Sequence, residues 1–295
     1  MAVFVTGDTH GPEKIGWHSV DGFIPRLNVR NFPEQKELTK DDLLIICGDF
    51  GGVWDTNRER FAESSQEKYS LDWLEDKPFT TLFVPGNHEN YDRLTGCRNE
   101  ALLAGWMYRK MPEEEKEKLR RGYPRELWRG GFTRIIRPSV RMLEPGVFDL
   151  DGQKCFVYGG AASHDIADGI LDPVSFAEET DFQKAYRKMV GSGCQFRVRG
   201  TSWWDQEMPG PEEEKQAEEA LEAAGYRVDF VFTHAAPLSC HAALGYSHAG
   251  RVNRFLEDIR LQLSYRHWFF AHLHSNSNLP GGKDHLIYEQ ILRIC

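Results

Sequence analysis

Aspartate, asparagine and histidine recur in five short clusters along this chain: Gly7-Asp8-Thr9-His10-Gly11, Gly48-Asp49-Phe50-Gly51-Gly52, Gly86-Asn87-His88-Glu89, Thr233-His234 and Ala271-His272-Leu273-His274. Carboxylate, amide and imidazole together are a donor set for borderline divalent cations such as Mn, Fe, Zn, Co or Ni. No cysteine joins the clusters, which argues against a structural zinc site. An Asp-x-His or His-x-His at a strand end can send both side chains to one side, since alternate residues share a face. The neighbouring glycines allow sharp turns and leave room for a substrate. Singly, each cluster reads as a turn or a satisfied core histidine. Five polar clusters at the ends of apolar runs need partners, and metal ions provide them.

The elements that must position these clusters are short apolar runs, each stopping at a polar or glycine-rich turn: Val3–Val5, Leu43–Cys47, Thr81–Val84, Phe156–Tyr158, Phe230–Phe232 and Trp268–Phe270. They read as buried strands. Helical patterns lie between several of them. One runs from Arg58 to Leu74, and another follows Pro209-Gly210-Pro211, with acids Glu212 to Glu214 at its start and Gly225 at its stop. The run Glu113 to Lys118 reads as a solvated helix face. Alternation of strand and helix predicts an α/β fold with its chemistry at the carboxyl ends of the strands. The segment from Ser163 to Met208 breaks the rhythm. It reads as an inserted loop region near the site, inside a single domain spanning residues 1–295.

Composition narrows the function classes. A net charge of −9 speaks against a non-specific nucleic-acid binder, which needs Lys and Arg to neutralise phosphates, and against an anionic membrane surface. The first residues lack the basic leader and apolar run of a signal peptide, and no stretch approaches the ~18 apolar residues of a spanning helix. The six cysteines are widely spaced, which fits reduced thiols and a cytoplasmic protein.

The ordered set Asp-x-His, Gly-Asp, Gly-Asn-His-Glu, His and His-x-His, from Asp8 to His274, resembles the calcineurin-like metallophosphoesterase superfamily. The resemblance implies a four-layer αββα sandwich of two mixed sheets flanked by helices. It puts Asp8, His10 and His274 on one metal ion and Asn87, His234 and His272 on a second, with Asp49 bridging the two. It makes His88 the non-ligand histidine near the leaving group. In that chemistry two divalent ions, Mn favoured, clamp phosphoryl oxygens and activate a bridging water, and His88 is the candidate proton donor. The expected function is hydrolysis of phosphate esters, as a phosphomonoesterase acting on a phosphorylated small molecule or phosphopeptide. The rival readings are a phosphodiesterase or nucleotide pyrophosphohydrolase, and a non-catalytic binding protein on the same fold.

The sequence departs from the family after Asp49. Many members continue Gly-Asp-x-x-Asp, often with Arg next, the Asp orienting the catalytic histidine and the Arg gripping phosphate. Here those positions are Gly52 and Val53, with Trp54 beyond. Asp55 or Glu89 is then a candidate partner for His88. Phosphate recognition falls to Arg197 and Arg199, whose alternate spacing lets them point the same way, with Trp203 and Trp204 stacking on a flat group. Arg93 is a further option. His164, Asp165 and Asp168 are lesser candidates to face the site, and His241 and His248 read as surface residues.

Overall fold

The computed structural model of the protein describes residues 1–11 and 22–295. Its strands are, in chain order, β1 (Val3–Thr6), β2 (Leu43–Cys47), β3 (Thr80–Val84), β4 (Arg125–Trp128) and β5 (Gly131–Arg137). There follow β6 (Val140–Leu143), β7 (Gly146–Leu150), β8 (Gln153–Tyr158), β9 (Ile170–Leu171) and β10 (Arg197–Val198). The last are β11 (Phe230–Thr233), β12 (His267–Phe270), β13 (Ser277–Asn278), β14 (Asp284–Leu286) and β15 (Leu292–Arg293). The α-helices are α1 (Phe23–Leu27), α2 (Ser65–Glu75), α3 (Glu100–Ala104), α4 (Glu113–Arg121), α5 (Glu179–Gly191), α6 (Pro211–Ala223), α7 (Leu238–Ala243) and α8 (Arg251–Gln262).

The strands build two large mixed sheets. The first has the order β15-β1-β2-β3-β6-β5-β4 and the second β13-β14-β12-β11-β8-β7. In each, a parallel centre carries antiparallel strands at its margins. The parallel strands are apolar on both faces because both are covered. Val3, Val5, Leu43, Ile45 and Cys47 meet Phe232, Phe269 and Val157 in a layer between the sheets. The alternate residues Phe4, Leu44 and Ile46 face outward onto Phe23 of α1 and Leu71 and Leu74 of α2. On the second sheet, Phe156, Val231, Trp268 and Phe270 pack outward on Leu221 of α6 and Val252, Leu256 and Ile259 of α8. The result is helix, sheet, sheet, helix, as the resemblance implied.

Three local expectations are revised. The helix expected from Arg58 begins only at Ser65, because the Ser64 hydroxyl accepts the Glu67 N–H at 3.1 Å and caps it there. The hairpin strands β4 to β7 lie outside the apolar runs because much of their surface meets solvent; β7 alternates buried and exposed residues. The Ser163–Met208 segment carries regular structure of its own: α5 and the parallel pair β9–β10, packed around Leu171, Phe182 and Val198. Among the described residues no helix is long and apolar enough to cross a membrane.

The layer between the sheets holds the two halves of the molecule together. Phe232 is fully buried there, its ring stacked 5.9 Å from that of Phe269. Phe232→Ala is expected to lower stability by about 3–5 kcal/mol, measured as a shift in the urea unfolding midpoint.

Candidate metal centre

The five clusters converge at the carboxyl ends of β1, β2, β3, β11 and β12, but not through strand alternation. His10, Asp49, His272 and His274 all have left-handed backbone, with φ of 52°, 44°, 71° and 46°. Among the described residues only three other non-glycine residues, Arg129, Asp151 and Tyr226, have positive φ. Local backbone strain is thus concentrated at this site. The chain turns out of each sheet as it reaches a cluster, so the tight turn brings the paired side chains together, not the pleat. Backbone hydrogen bonds tie the turns to one another. The Asp49 carbonyl accepts the Thr9 and His10 N–H groups at 3.1 and 2.8 Å, and the His234 carbonyl accepts the Ala271 N–H at 3.0 Å.

Asp49 is the centre of the arrangement and is buried. Its Oδ2 lies 3.4 Å from His10 Nε2 and its Oδ1 3.2 Å from His234 Nε2. Two groups of ligand atoms therefore share it. Asp8, His10, Asp49 and His274 form one, and Asp49, His234 and His272 the other, the atoms of each lying within 4.8 Å of one another. Asn87 Oδ1 joins the second group at 3.2 Å from His234 Nε2.

The donor chemistry fits cations. His234 Nδ1 donates to the Cys47 carbonyl at 3.0 Å, because a carbonyl only accepts. A neutral His234 ring would then present its Nε2 lone pair to two further lone-pair carriers, Asn87 Oδ1 and Asp49 Oδ1. Such a grouping is held only by positive charge between the atoms. In the metal-free site a proton on His234 Nε2 meets the same need. Burial acts against the charged form of His234, but Asp49 outweighs it and lifts the imidazole to about 9. Burial likewise opposes the Asp49 carboxylate, yet His234 and His88 hold it well below the ordinary range. Asp8, shifted mainly by burial, is raised, and His272, also mainly by burial, is lowered.

The chain belongs to the calcineurin-like phosphoesterase family. The family match covers residues 1–276, the whole span from the first cluster to the last. Among curated proteins none matches the chain. Among solved structures it is similar to phosphopantetheinyl hydrolase (PptH) from Mycobacterium tuberculosis, at 16% identity over 97% of this chain and 88% of that one, with a TM-score of 0.31. It is also similar to a protein assigned as a 5′-nucleotidase from Staphylococcus aureus, at 13% identity over 99% of this chain and 50% of that one, with a TM-score of 0.37. This chain thus spans half the length of the nucleotidase, and at these values neither likeness bears on substrate. The phosphoesterase is a metal-dependent hydrolase of phosphoesters.

His88 stands beside the ligand groups. Its N–H donates to Asp49 Oδ1 at 2.8 Å and its ring lies 5.3 Å from that of His10. Neither carboxylate candidate reaches it. Glu89 accepts the Phe50 and Gly51 N–H groups at 2.7 and 3.3 Å and so holds the Asp49 turn. The Asp55 carbonyl accepts from Asn90 and Arg93. The partner is Arg197, whose Nη2 lies 3.0 Å from His88 Nε2. A guanidinium only donates, so Nε2 accepts. Asp165 Oδ1 pairs with Arg197 Nε at 2.7 Å, and Trp54 stacks on the His88 ring at 5.7 Å. Burial first, with Arg197 and His10 adding to it, pulls His88 down to about 4, although Asp49 opposes them.

The other phosphoesterase residues nominated from sequence are scattered. Arg199 does not point with Arg197: it pairs with Asp172 at 2.8 Å and with Asp205, and lies over Trp203. Trp204 is buried and meets Trp54 edge-on, anchoring the inserted segment to the body. Arg93 is buried in an ion pair with Glu67 at 2.6 Å and a hydrogen bond to Tyr123 Oη, so its guanidinium is already committed. Asp168 accepts the Gln195 N–H and braces its own loop. The His164 ring approaches His272 at 5.9 Å. His241 is buried against Tyr246 and is not a surface residue, whereas His248 is exposed. Sequence spacing carried no sign of Trp54 on His88, or of Ser163, which accepts from Asn87 Nδ2 at 3.5 Å and is itself held by Glu207.

Two of the glycines beside the clusters, Gly48 and Gly86, make room for neighbouring donor side chains. A Cβ on Gly48, at φ +89°, would sit 2.0 Å from His234 Nδ1, and one on Gly86 would sit 2.2 Å from Asp49 Oδ1. Gly48→Ala is therefore expected to displace His234, cost about 1–3 kcal/mol of stability and lower the bound metal, read by elemental analysis and thermal denaturation.

Proposed function

We propose that this phosphoesterase is a phosphomonoesterase, with Asp8, His10 and His274 holding one divalent ion, Asn87, His234 and His272 a second, and Asp49 shared between them. The observation that carries the reading is the placement of the two Asp49 oxygens, one toward each group of donors. Bound ions would supply charge neutralisation at phosphorus and an activated water, and manganese is the ion we favour.

The remaining steps belong to the chain's own side chains. Arg197 is our candidate for gripping the phosphoryl group, because its guanidinium stands at His88 beside the centre. A monoester dianion gains more from that extra cation than a diester monoanion does, which supports the monoesterase reading over the diesterase one. A phosphate drawing Arg197 onto its oxygens would release His88 Nε2, and the dianion beside it would raise that nitrogen's proton affinity. His88 then holds a proton at Nε2 for the departing ester oxygen. Trp54, stacked on its ring, keeps the imidazole in place. Arg199, Trp203, Trp204 and Arg93 are engaged elsewhere, and we assign them to structure.

We place the Ser163–Met208 segment within the same domain, since it delivers Arg197 and Ser163 to the centre. The substrates we infer are phosphorylated small molecules or phosphopeptides, in the cytoplasm. All six cysteines are unpaired, in keeping with a reducing compartment.

Asp49→Ala is expected to abolish hydrolysis of p-nitrophenyl phosphate and to strip metal, whereas His88→Ala should lower kcat by about 100-fold or more with metal retained. Loss of metal from the His88 variant would make His88 a ligand. Arg197→Ala should raise KM for p-nitrophenyl phosphate more than for its bis-ester, and faster turnover of the bis-ester by the unmodified protein would reverse the monoesterase assignment.

A further inference from the structure

A groove of about 1000 Å³ runs along the carboxyl ends of the second sheet and includes His272 and His274 of the metal centre in its lining. Neither His88 nor Trp54, which stacks on it, is among the lining residues. Small side chains, Ala161, Ala162 and Ala235, line it and leave it wide. Its volume is at the upper end for small-molecule sites and far exceeds what a phosphoryl group fills.

The charge of this groove differs from that of the chain. The protein carries −9, yet among the described residues no aspartate or glutamate lines the groove. Its titratable lining beyond the centre is Arg254, His164, His241, His248 and Tyr246. Arg254, on the first turn of α8, is exposed. Its guanidinium donates to the Ala249 carbonyl at 3.3 Å and has no carboxylate partner among the described residues. His241 is buried, and its Nδ1 has no hydrogen-bond partner among the described residues. A wide groove that has donors and excludes carboxylates attracts anions.

We propose that this groove receives the organic part of the substrate, and that this part bears a second anionic group held by Arg254 and His248. The proposal rests on the reading that the Asp49 centre binds the scissile phosphate. The geometry permits both at once. His10 lies 5.3 Å from His88 and 4.8 Å from His274 by ring centroids, so an ester oxygen beside His88 is one imidazole away from the groove. The substrate class is a phosphate ester whose alcohol carries a carboxylate or a further phosphate, and neutral-tailed esters are poorer ligands.

The test uses non-hydrolysable ligands, so that it reads binding and not turnover. Inorganic phosphate, hexylphosphonate, phosphonohexanoic acid and hexane bisphosphonate are titrated by calorimetry into the manganese-loaded protein. At least one of the two anionic-tailed ligands is expected to bind about tenfold or more tightly than hexylphosphonate, the gain of one charge-assisted contact. Which of them does so tells carboxylate from phosphate. Arg254→Glu should abolish that preference and Arg254→Lys should keep most of it. Equal affinity for all three tailed ligands, or a preference that survives Arg254→Glu, overturns the groove proposal while leaving the metal-centre reading intact. Failure of phosphate and all three phosphonates to bind the loaded protein overturns both.

Discussion

A buried carboxylate with imidazoles on either side sets the terms for this molecule. Asp49 sits at the end of β2 in the first sheet, and the residues its two oxygens face come from different sheets, His10 from the first and His234 from the second. A carboxylate without water needs positive charge close by, and the chain supplies it only where the ends of both sheets meet. The spacing of the sheets, and so the apolar layer between them, is what keeps the two donor groups sharing one residue. Packing in that layer and chemistry at its edge are the same constraint seen at two places.

The arrangement is paid for in backbone conformation. Four of the residues that form the donor groups are left-handed and are not glycine, a conformation costing on the order of 1 kcal/mol or more each. Cross-connections between turns hold them there. The Asp49 carbonyl takes two N–H groups from the first cluster, Glu89 takes two from the Asp49 turn, and the His272 N–H reaches both Asp8 oxygens at 3.1 and 3.2 Å. Gly48 and Gly86 allow the backbones to approach where any Cβ would strike a donor side chain.

Around this shared centre the chain has its own surroundings. Against the histidine of the third cluster this protein places the Arg197 guanidinium, delivered by β10 and braced by Asp165. A cation from the inserted segment thus stands beside His88. That segment can do this because it has a small core of its own: Val198 packs on Leu171 and Phe182 while its neighbour Arg197 turns the other way. The ends of the second sheet leave a broad groove lined by no carboxylate among the described residues.

The parallel strands, the identity of the donor residues and their order were legible in the sequence, because each rests on local rules. A strand buried on both faces must be apolar throughout, and Leu43–Cys47 shows this without any knowledge of its neighbours. Polar residues ending such strands, Asp8 or His234, have to find a partner. The inserted segment was opaque for the converse reason. Arg197 and Arg199 have the same residue type and alternate spacing, and their roles are separated only by what stands opposite each in space: His88 for one, Asp172 and Asp205 for the other. Arg93 could not be told from a phosphate-binding arginine until Glu67 was seen beside it. The sequence by itself determined which side chains would hold charge at the strand ends. Only the tertiary structure decided which of the remaining cations stayed near the centre, because an arginine's role depends on the distance to its nearest carboxylate, and that distance is set by packing between segments far apart in the chain.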